Sequence, residues 1–208
     1  MKKGFFIGTA VLVFLVSGIF YVASFKKASM LIPREILFGL PEKIAPQISP
    51  DGLLVAYLAP FQKVLNVWLY DRGTKTERVL TSDKGRGIHY YAWAPDGKSV
   101  LFLQDQGGNE NWHLYKIDLA GGNTKDLTPF EGVQARVLEI DKHFPDEILV
   151  ELNKEDASRH DVYRLELKTD ALELVARNTG KISDWIVDAE MKVRGAVEAR
   201  SEGGYDVL

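Results

Sequence analysis

The fold of this chain is decided by the segment ISPDGLLVAY (residues 48–57), which returns 45 residues later as WAPDGKSVLF (residues 93–102). In both copies a Pro-Asp-Gly turn precedes a run of apolar residues. Proline fixes φ near about −65° at the second position of a turn, aspartate bonds its own backbone, and glycine supplies the positive φ that follows. Each copy is therefore predicted to be the tip of a β-hairpin.

A second motif repeats in step with the first. It reads NVWLYD at residues 66–71, HLYKID at 113–118 and DVYRLE at 161–166, with spacings of 47 and 48 residues. Pro-Asp occurs a third time at residues 145–146, and residues 185–193 resemble a worn fourth copy. Two motifs that share one period indicate a structural repeat.

Each repeat has room for four short antiparallel strands, which is the content of one propeller blade. A β-sandwich could use the same hairpins but does not require a fixed period. The sequence therefore predicts an all-β fold, a partial β-propeller of about three and a half blades with repeats similar to those of TolB and WD40 propellers. The predicted units are residues 44–86, 87–131, 132–179 and an incomplete 180–208.

Composition narrows the function classes. The 208 residues are 46% hydrophobic and 26% charged, as in a globular protein, and they include no cysteine. This excludes disulfides, zinc–thiolate sites, cysteine nucleophiles and a lipidated cysteine. Residues 1–32 carry four lysines and no acid, so residues 33–208 have a net charge of −7, and nucleic acid is not an expected partner.

The amino terminus contains an uncharged run of 22 residues, 4–25, between Lys3 and Lys26. Its length favours a membrane-spanning anchor, since a spanning helix needs about 20 residues. A signal peptide cleaved after small residues near Ala23, and a buried core helix, are the alternatives. We expect residues 1–32 to be this anchor or signal segment and residues 33–208 to form the propeller domain. The expected location is the cytoplasmic membrane with the propeller on the periplasmic or extracellular side, or the periplasm after cleavage.

Motifs for catalysis or cofactor binding are not found in the sequence. None of the nine serines lies in the Gly-x-Ser-x-Gly elbow of an α/β-hydrolase, and no nucleotide-binding glycine loop occurs. The four histidines (His89, His113, His143 and His160) fall in separate repeats and are interpreted as strand or turn residues. No catalytic, cofactor-binding or metal-binding residue is predicted, and no cofactor.

Three further features have simple structural interpretations. The loop 105–111 collects acidic and amide side chains, but it does not have the spacing of an EF-hand, and its glycines suit a strand connection. The charged segment 151–159 is predicted to be a solvated loop. The aromatic residues Trp68, Tyr115 and Tyr163 recur at one position of the repeat and are predicted to pack in the core.

Several short motifs resemble the propeller of serine peptidases of the S9, or prolyl oligopeptidase, family, in particular the dipeptidyl aminopeptidase and acylaminoacyl peptidase branch. The resemblance runs from about residue 32 to the end. It rests on IPREILFG (32–39), PQISPDG (46–52), DQGGNENWHLY (105–115), GVQA (132–135), PDEILV (145–150) and RHDVYRL (159–165).

The resemblance implies a seven-bladed propeller that covers a C-terminal α/β-hydrolase domain and admits short peptides to a Ser-Asp-His triad. The present sequence lacks that domain. We therefore expect a non-catalytic, substrate-gating portion of such a peptidase, inactive by itself. Its expected partners are short peptides, the missing hydrolase domain and, through residues 4–25, a membrane. The alternatives are a TolB-like periplasmic module that binds proteins, a remnant of a decayed peptidase gene, and a half-propeller that dimerises.

Overall fold

The computed structural model of the protein describes residues 32–208. The predicted membrane or signal helix at residues 4–25 lies outside the described residues. Within residues 32–208 no helix has the length and apolar character needed to cross a bilayer. The chain divides into two units, Met1–Gly39 and Leu40–Leu208. In the first unit the described part contains one short helix, α1 (Arg34–Leu37), whose N-cap is Pro33.

The second unit consists of antiparallel sheets whose strands pair in chain order. Its described residues form three four-stranded sheets and one three-stranded sheet. Sheet 1 contains β1 (Ile44–Ile48), β2 (Leu54–Phe61), β3 (Val64–Asp71) and β4 (Thr76–Val79); sheet 2 contains β5 (Tyr90–Trp93), β6 (Ser99–Gln104), β7 (His113–Asp118) and β8 (Thr124–Asp126); sheet 3 contains β9 (Ala135–Glu139), β10 (Glu147–Leu152), β11 (Asp161–Glu166) and β12 (Leu172–Ala176); sheet 4 contains β13 (Ile182–Val187), β14 (Val193–Ala199) and β15 (Tyr205–Val207). The predicted all-β fold is confirmed.

The Pro-Asp-Gly motifs form the predicted hairpin tips. In the first, Gly52 has a φ of 75° and donates its N–H to the carbonyl of Ser49 at 2.8 Å, while Asp51 accepts the N–H of Leu53 at 3.0 Å. The second tip repeats this geometry, with a φ of 67° at Gly97. A side chain at these positions would be strained, which explains why glycine ends the turn.

The fourth repeat makes the same turn without glycine. Met191 takes the place of the glycine, with a φ of 53°, and donates its N–H to the carbonyl of Asp188 at 3.0 Å. Its side chain is only 1% exposed because it packs between sheets 3 and 4. Burial of this side chain offsets the unfavourable backbone conformation, so the turn survives although its sequence signature is lost.

Consecutive sheets share their hydrophobic cores. One cluster joins sheets 1 and 2, a second joins sheets 2 and 3, and a third joins sheets 3 and 4. Strand β10 shows why: Ile148 and Val150 face sheet 2, whereas Leu149 faces sheet 4, and all three are 0% exposed. A middle strand that is apolar on both faces requires a sheet on each side, as in a propeller.

The recurring aromatic residues pack as predicted in sheets 2 and 3. Tyr163 is 5% exposed in the cluster between these sheets, and Tyr115 stacks on Phe102 with ring centroids 5.3 Å apart. Trp68 lies on the face of sheet 1 that is turned away from sheet 2, where it contacts Phe61 edge-on.

A Leu-Thr pair directly follows the fourth strand of sheets 1 and 2, at residues 80–81 and 127–128, and is a further repeated motif of the sequence. Thr81 accepts the backbone N–H of Val67 at 2.9 Å, and Thr128, 47 residues later, accepts that of Leu114 at 2.9 Å. Both threonine side chains are buried. Each hydroxyl therefore satisfies an N–H group of the third strand one residue beyond its last pair with the fourth strand.

We predict that Thr128→Val lowers the free energy of unfolding by about 1–2 kcal/mol, because the buried N–H of Leu114 loses its acceptor. Urea denaturation measures this change. The control is Thr124→Val, at an exposed position in β8 of the same sheet. Equal stability of the Thr128→Val variant and the wild type would contradict the assigned role.

Candidate functional site

The order of the strands brings particular loops to one edge of the propeller. Because each sheet runs antiparallel in chain order, the loop between its second and third strands lies at the same edge as the connections between sheets. We call this edge the connection edge; the Pro-Asp turns lie at the opposite one. Loops from several repeats therefore meet at the connection edge, although they are far apart in the sequence.

A polar cavity of about 480 Å³ opens at the connection edge, where segments of sheets 2, 3 and 4 meet. Its walls come from the β6–β7 loop, the start of β9, the end of β10 with the following loop, and the approach to β13. The lining residues are Asn109, Glu110, Asn111, Gln134, Arg136, Glu151, Asn153, Ala157, Ser158, Arg159, His160, Asn178, Ile182 and Ser183. We refer to it as the polar cavity.

Hydrogen bonds between the loops fix the walls of the polar cavity. The side chain of Asn153 accepts the backbone N–H of Gln134 at 2.6 Å and donates to the carbonyl of Ala157 at 3.1 Å. Gln134 in turn donates from its side chain to the carbonyl of Glu110 at 3.1 Å. This network joins the β6–β7 loop of sheet 2 to two segments of sheet 3, so the cavity is largely preformed.

Glu151 and Arg136 stand side by side in the cavity, since they are paired residues of the adjacent strands β10 and β9. Glu151 is half-buried, and among the described residues none lies within hydrogen-bonding or ion-pair distance of its carboxylate. Burial raises the pKa of Glu151; the positive charge of Arg136 opposes this rise, and the negative charge of Asp184 adds to it. An unpaired carboxylate in a preformed cavity suits a cationic ligand group.

His160 lies next to this pair and titrates at lower pH than a free histidine. Burial and the positive charge of Arg136 lower its pKa from 6.5 to about 4, so the ring is neutral at neutral pH. Its Nε2 is buried, and no described residue bonds to it. Arg159 is the second cationic residue of the cavity lining. Its charge is neutralised by the carboxylate of Asp156, which accepts a hydrogen bond from the Nε of Arg159 at 2.8 Å.

The prediction that the charged segment 151–159 is a solvated loop is confirmed for residues 153–159, where Lys154 and Glu155 are exposed, but it is wrong for Glu151. Glu151 belongs to strand β10 and points into the cavity, and Asn153 and Arg159 also line it. The run of charged residues begins inside β10, which ends only at Leu152. An alternation of side chains along β10 places Glu151 on the same face as Leu149, away from its sequence neighbours.

The other residues considered in the sequence lie elsewhere. His113 pairs with Asp126 at 2.7 Å, and the exposed ring of His143 bonds to Asp141 at 2.7 Å in its own turn. Asp105 of the loop 105–111 is buried and accepts hydrogen bonds from Arg86 and from the N–H of Glu110. In residues 32–208 no group of three or more acidic or histidine side chains is placed to hold a metal ion.

Two curated proteins of known name are similar to this chain along most of its length. It is 40% identical over 179 residues to dipeptidyl aminopeptidase BIII of Pseudoxanthomonas mexicana, which covers 86% of the chain and 26% of the relative. It is 29% identical over 180 residues to dipeptidyl peptidase family member 6 of Caenorhabditis elegans, covering 83% of the chain and 24% of the relative. The chain thus spans about a quarter of the length of these relatives. No family model matches the sequence.

Solved structures with the same fold are propellers. TolB of Acinetobacter baumannii superposes with a TM-score of 0.54 at 23% identity, over 79% of this chain and 40% of that one. The β-propeller domain of the trilobed protease of Pyrococcus furiosus gives a TM-score of 0.55 at 15% identity, over 80% and 53%. The predicted propeller architecture and the resemblance drawn from the sequence motifs are both confirmed.

The environment of His160 predicts how stability depends on pH. Since the pKa is about 4 in the folded protein and 6.5 in the free side chain, the unfolded chain binds more protons between these values. The stability that the protein gains by keeping His160 neutral is fully present above about pH 6.5. It is lost as the pH falls towards 4, because the unfolded chain then takes up a proton that the folded protein does not. We expect His160→Gln to lose less stability than the wild type between pH 7 and pH 5, measured by urea denaturation.

The control for this measurement is His143→Gln, which removes a histidine whose ring is exposed. This variant shows how much of the change in pH dependence comes from removing any histidine, and how much comes from removing the half-buried His160. An equal pH dependence of the wild type and His160→Gln would show that the His160 ring is not protected in the folded protein.

Proposed function

We propose that this chain is the non-catalytic, substrate-gating part of a peptidase that acts on short peptides. The proposal rests on its similarity to the propeller portion of S9 serine peptidases. The observation that carries the proposal is the 40% identity to a dipeptidyl aminopeptidase along 86% of the chain. In this proposal the bond-breaking residues belong to an α/β-hydrolase domain that is not part of the sequence. The role of the propeller is to admit and orient the peptide.

The polar cavity is the proposed receptor for the amino end of the peptide. Among the lining residues, Glu110 and Glu151 contribute two negative charges and Arg136 one positive charge, because Arg159 is paired with Asp156 and His160 is neutral. A protonated α-amino group is attracted to this excess of negative charge, and Glu151 is the acceptor that lacks a partner. Arg136, paired with Glu151 across the strands, is placed to donate to a peptide carbonyl.

The amino-terminal segment bears on where the protein acts. We propose that residues 4–25 anchor the chain in the cytoplasmic membrane with the propeller on the periplasmic or extracellular side. The support is the length of the uncharged run and the lysines that flank it. Cleavage near Ala23, which would release the propeller into the periplasm, is the alternative.

A second candidate function is a protein-binding module of the TolB kind. The observation in its favour is the similarity in fold to TolB. The matched region makes up 40% of the TolB chain, but only 26% and 24% of the two curated relatives. This candidate requires a protein ligand on the propeller surface and no preference for peptides with a free amino end. Binding measurements with short peptides therefore distinguish the two functions.

We predict that the full chain binds the tripeptide amide Ala-Ala-Ala and that Glu151→Gln weakens this binding about five- to tenfold, because the amine loses its charged acceptor. Isothermal titration calorimetry measures both dissociation constants. Since burial already disfavours the charged form of Glu151, the variant is expected to fold. N-acetylation of the peptide should have the same effect on the wild type as the substitution.

The matched control is Glu173→Gln, at an exposed position on β12 of the same sheet, where we expect the affinity to stay unchanged. If the acetylated peptide bound as well as the free one, the assignment of the cavity to the amino end would be wrong.

The proposed anchor predicts that the chain sediments with membranes and resists a high-salt wash. Val13→Arg places a charge near the centre of the apolar run, at a cost of about 3 kcal/mol to insertion, and should release the uncut chain into the soluble fraction. Immunoblots of cell fractions measure this. A wild-type chain that is soluble and shorter by the mass of residues 1–23 would contradict the anchor and support cleavage.

A further inference from the structure

An apolar groove of about 360 Å³ lies beside the polar cavity on the connection edge, between sheets 2 and 3. Its lining residues are His89, Tyr90, Leu103, Trp112, Gln134, Ala135 and Arg136. Tyr90, 39% exposed, stands opposite Leu103 in the paired strands β5 and β6. Aromatic and aliphatic side chains thus form one wall of a concave surface that is open to solvent.

The apolar groove and the polar cavity are neighbours with a common wall. Gln134 and Arg136 line both of them. Because both residues border both sites, a short extended ligand that lies against them can reach from one site into the other.

The β6–β7 loop forms the partition between the two sites. Glu110 and Asn111 line the polar cavity, whereas the next residue, Trp112, lines the apolar groove. The carbonyl of Trp112 accepts the N–H of Ala135 at 2.7 Å, which ties the loop to sheet 3.

The ring of Trp112 is held in place from the other side by an ion pair between the exposed side chain of Arg86 and the buried carboxylate of Asp105. The guanidinium of Arg86 lies over the indole, 5.6 Å from its centroid, and donates to the carboxylate of Asp105 at 3.1 Å. The side chain of Asp105 is only 2% exposed and also accepts the N–H of Glu110 at 3.0 Å. Because the loop that holds the indole is bonded on both sides, the apolar wall exists before any ligand binds.

We propose that the apolar groove binds a large apolar side chain at the second or third residue of a peptide whose amino end occupies the polar cavity. This inference rests on the proposed function of the cavity. The occupant follows from the continuity of the two sites: a ligand that places its amine at Glu151 runs past Arg136 and presents its next side chains to Tyr90, Leu103 and Trp112. An apolar side chain there removes apolar surface from water on both partners.

The test compares two tripeptide amides with the full chain, Ala-Leu-Leu and Ala-Ser-Ser, by isothermal titration calorimetry. We expect the leucine peptide to bind about tenfold more tightly, since the burial of a leucine side chain contributes at least this factor. Tyr90→Ala should reduce the preference for leucine to about threefold or less. The control is Tyr205→Ala, which removes an exposed tyrosine of sheet 4 outside both sites and should leave the preference unchanged.

The outcomes separate this inference from the proposed function. Equal affinity of the two peptides for the wild type, with both dependent on Glu151 and a free amine, would overturn the apolar groove and leave the polar cavity standing. Binding of neither peptide would overturn both. The comparison on the wild type needs no variant, so the inference stays testable if Tyr90→Ala fails to fold.

Discussion

Burial of the middle strands on both faces is the constraint on which the rest of this structure depends. Ile148, Leu149 and Val150 are successive residues of β10, and none is exposed to solvent. One sheet has only two faces, so such a strand is stable only between two other sheets. The shared clusters between sheets 1 and 2, 2 and 3, and 3 and 4 satisfy this requirement in turn. Because each sheet packs on the next in the same way, the motifs of the sequence repeat at a nearly constant spacing.

The same constraint creates the site. When apolar faces pack sheet against sheet, the loops at the connection edge are brought to within bonding distance of one another. The bond from the N–H of Ala135 to the carbonyl of Trp112, and that from Gln134 to Glu110, join segments of neighbouring sheets. The polar cavity and the apolar groove are the spaces left between these fixed loops. Their polar and charged residues need not be near in sequence, because the packing of the sheets positions them.

This explains what the sequence could and could not predict. The Pro-Asp-Gly turns have local causes, so the hairpins and their period could be predicted from the residues. The turn at Met191 is visible in the sequence only as a worn copy, because its stability comes from burial between sheets 3 and 4, which is a tertiary effect. The polar cavity was missed because Glu110, Arg136 and Glu151 come from separate loops and strands with no fixed spacing. The Leu-Thr pairs at residues 80–81 and 127–128 are a third motif with the same period, and this motif could have been recognised in the sequence.

The central claim is that the connection edge of this propeller receives the amino end of a short peptide. A crystal structure of the full chain with Ala-Leu-Leu amide tests it most directly. The account predicts a peptide amine within hydrogen-bonding distance, about 3 Å, of the Glu151 carboxylate, with a leucine side chain against Tyr90 and Trp112. A peptide bound at the Pro-Asp edge, or with its amine away from Glu151, would contradict the account.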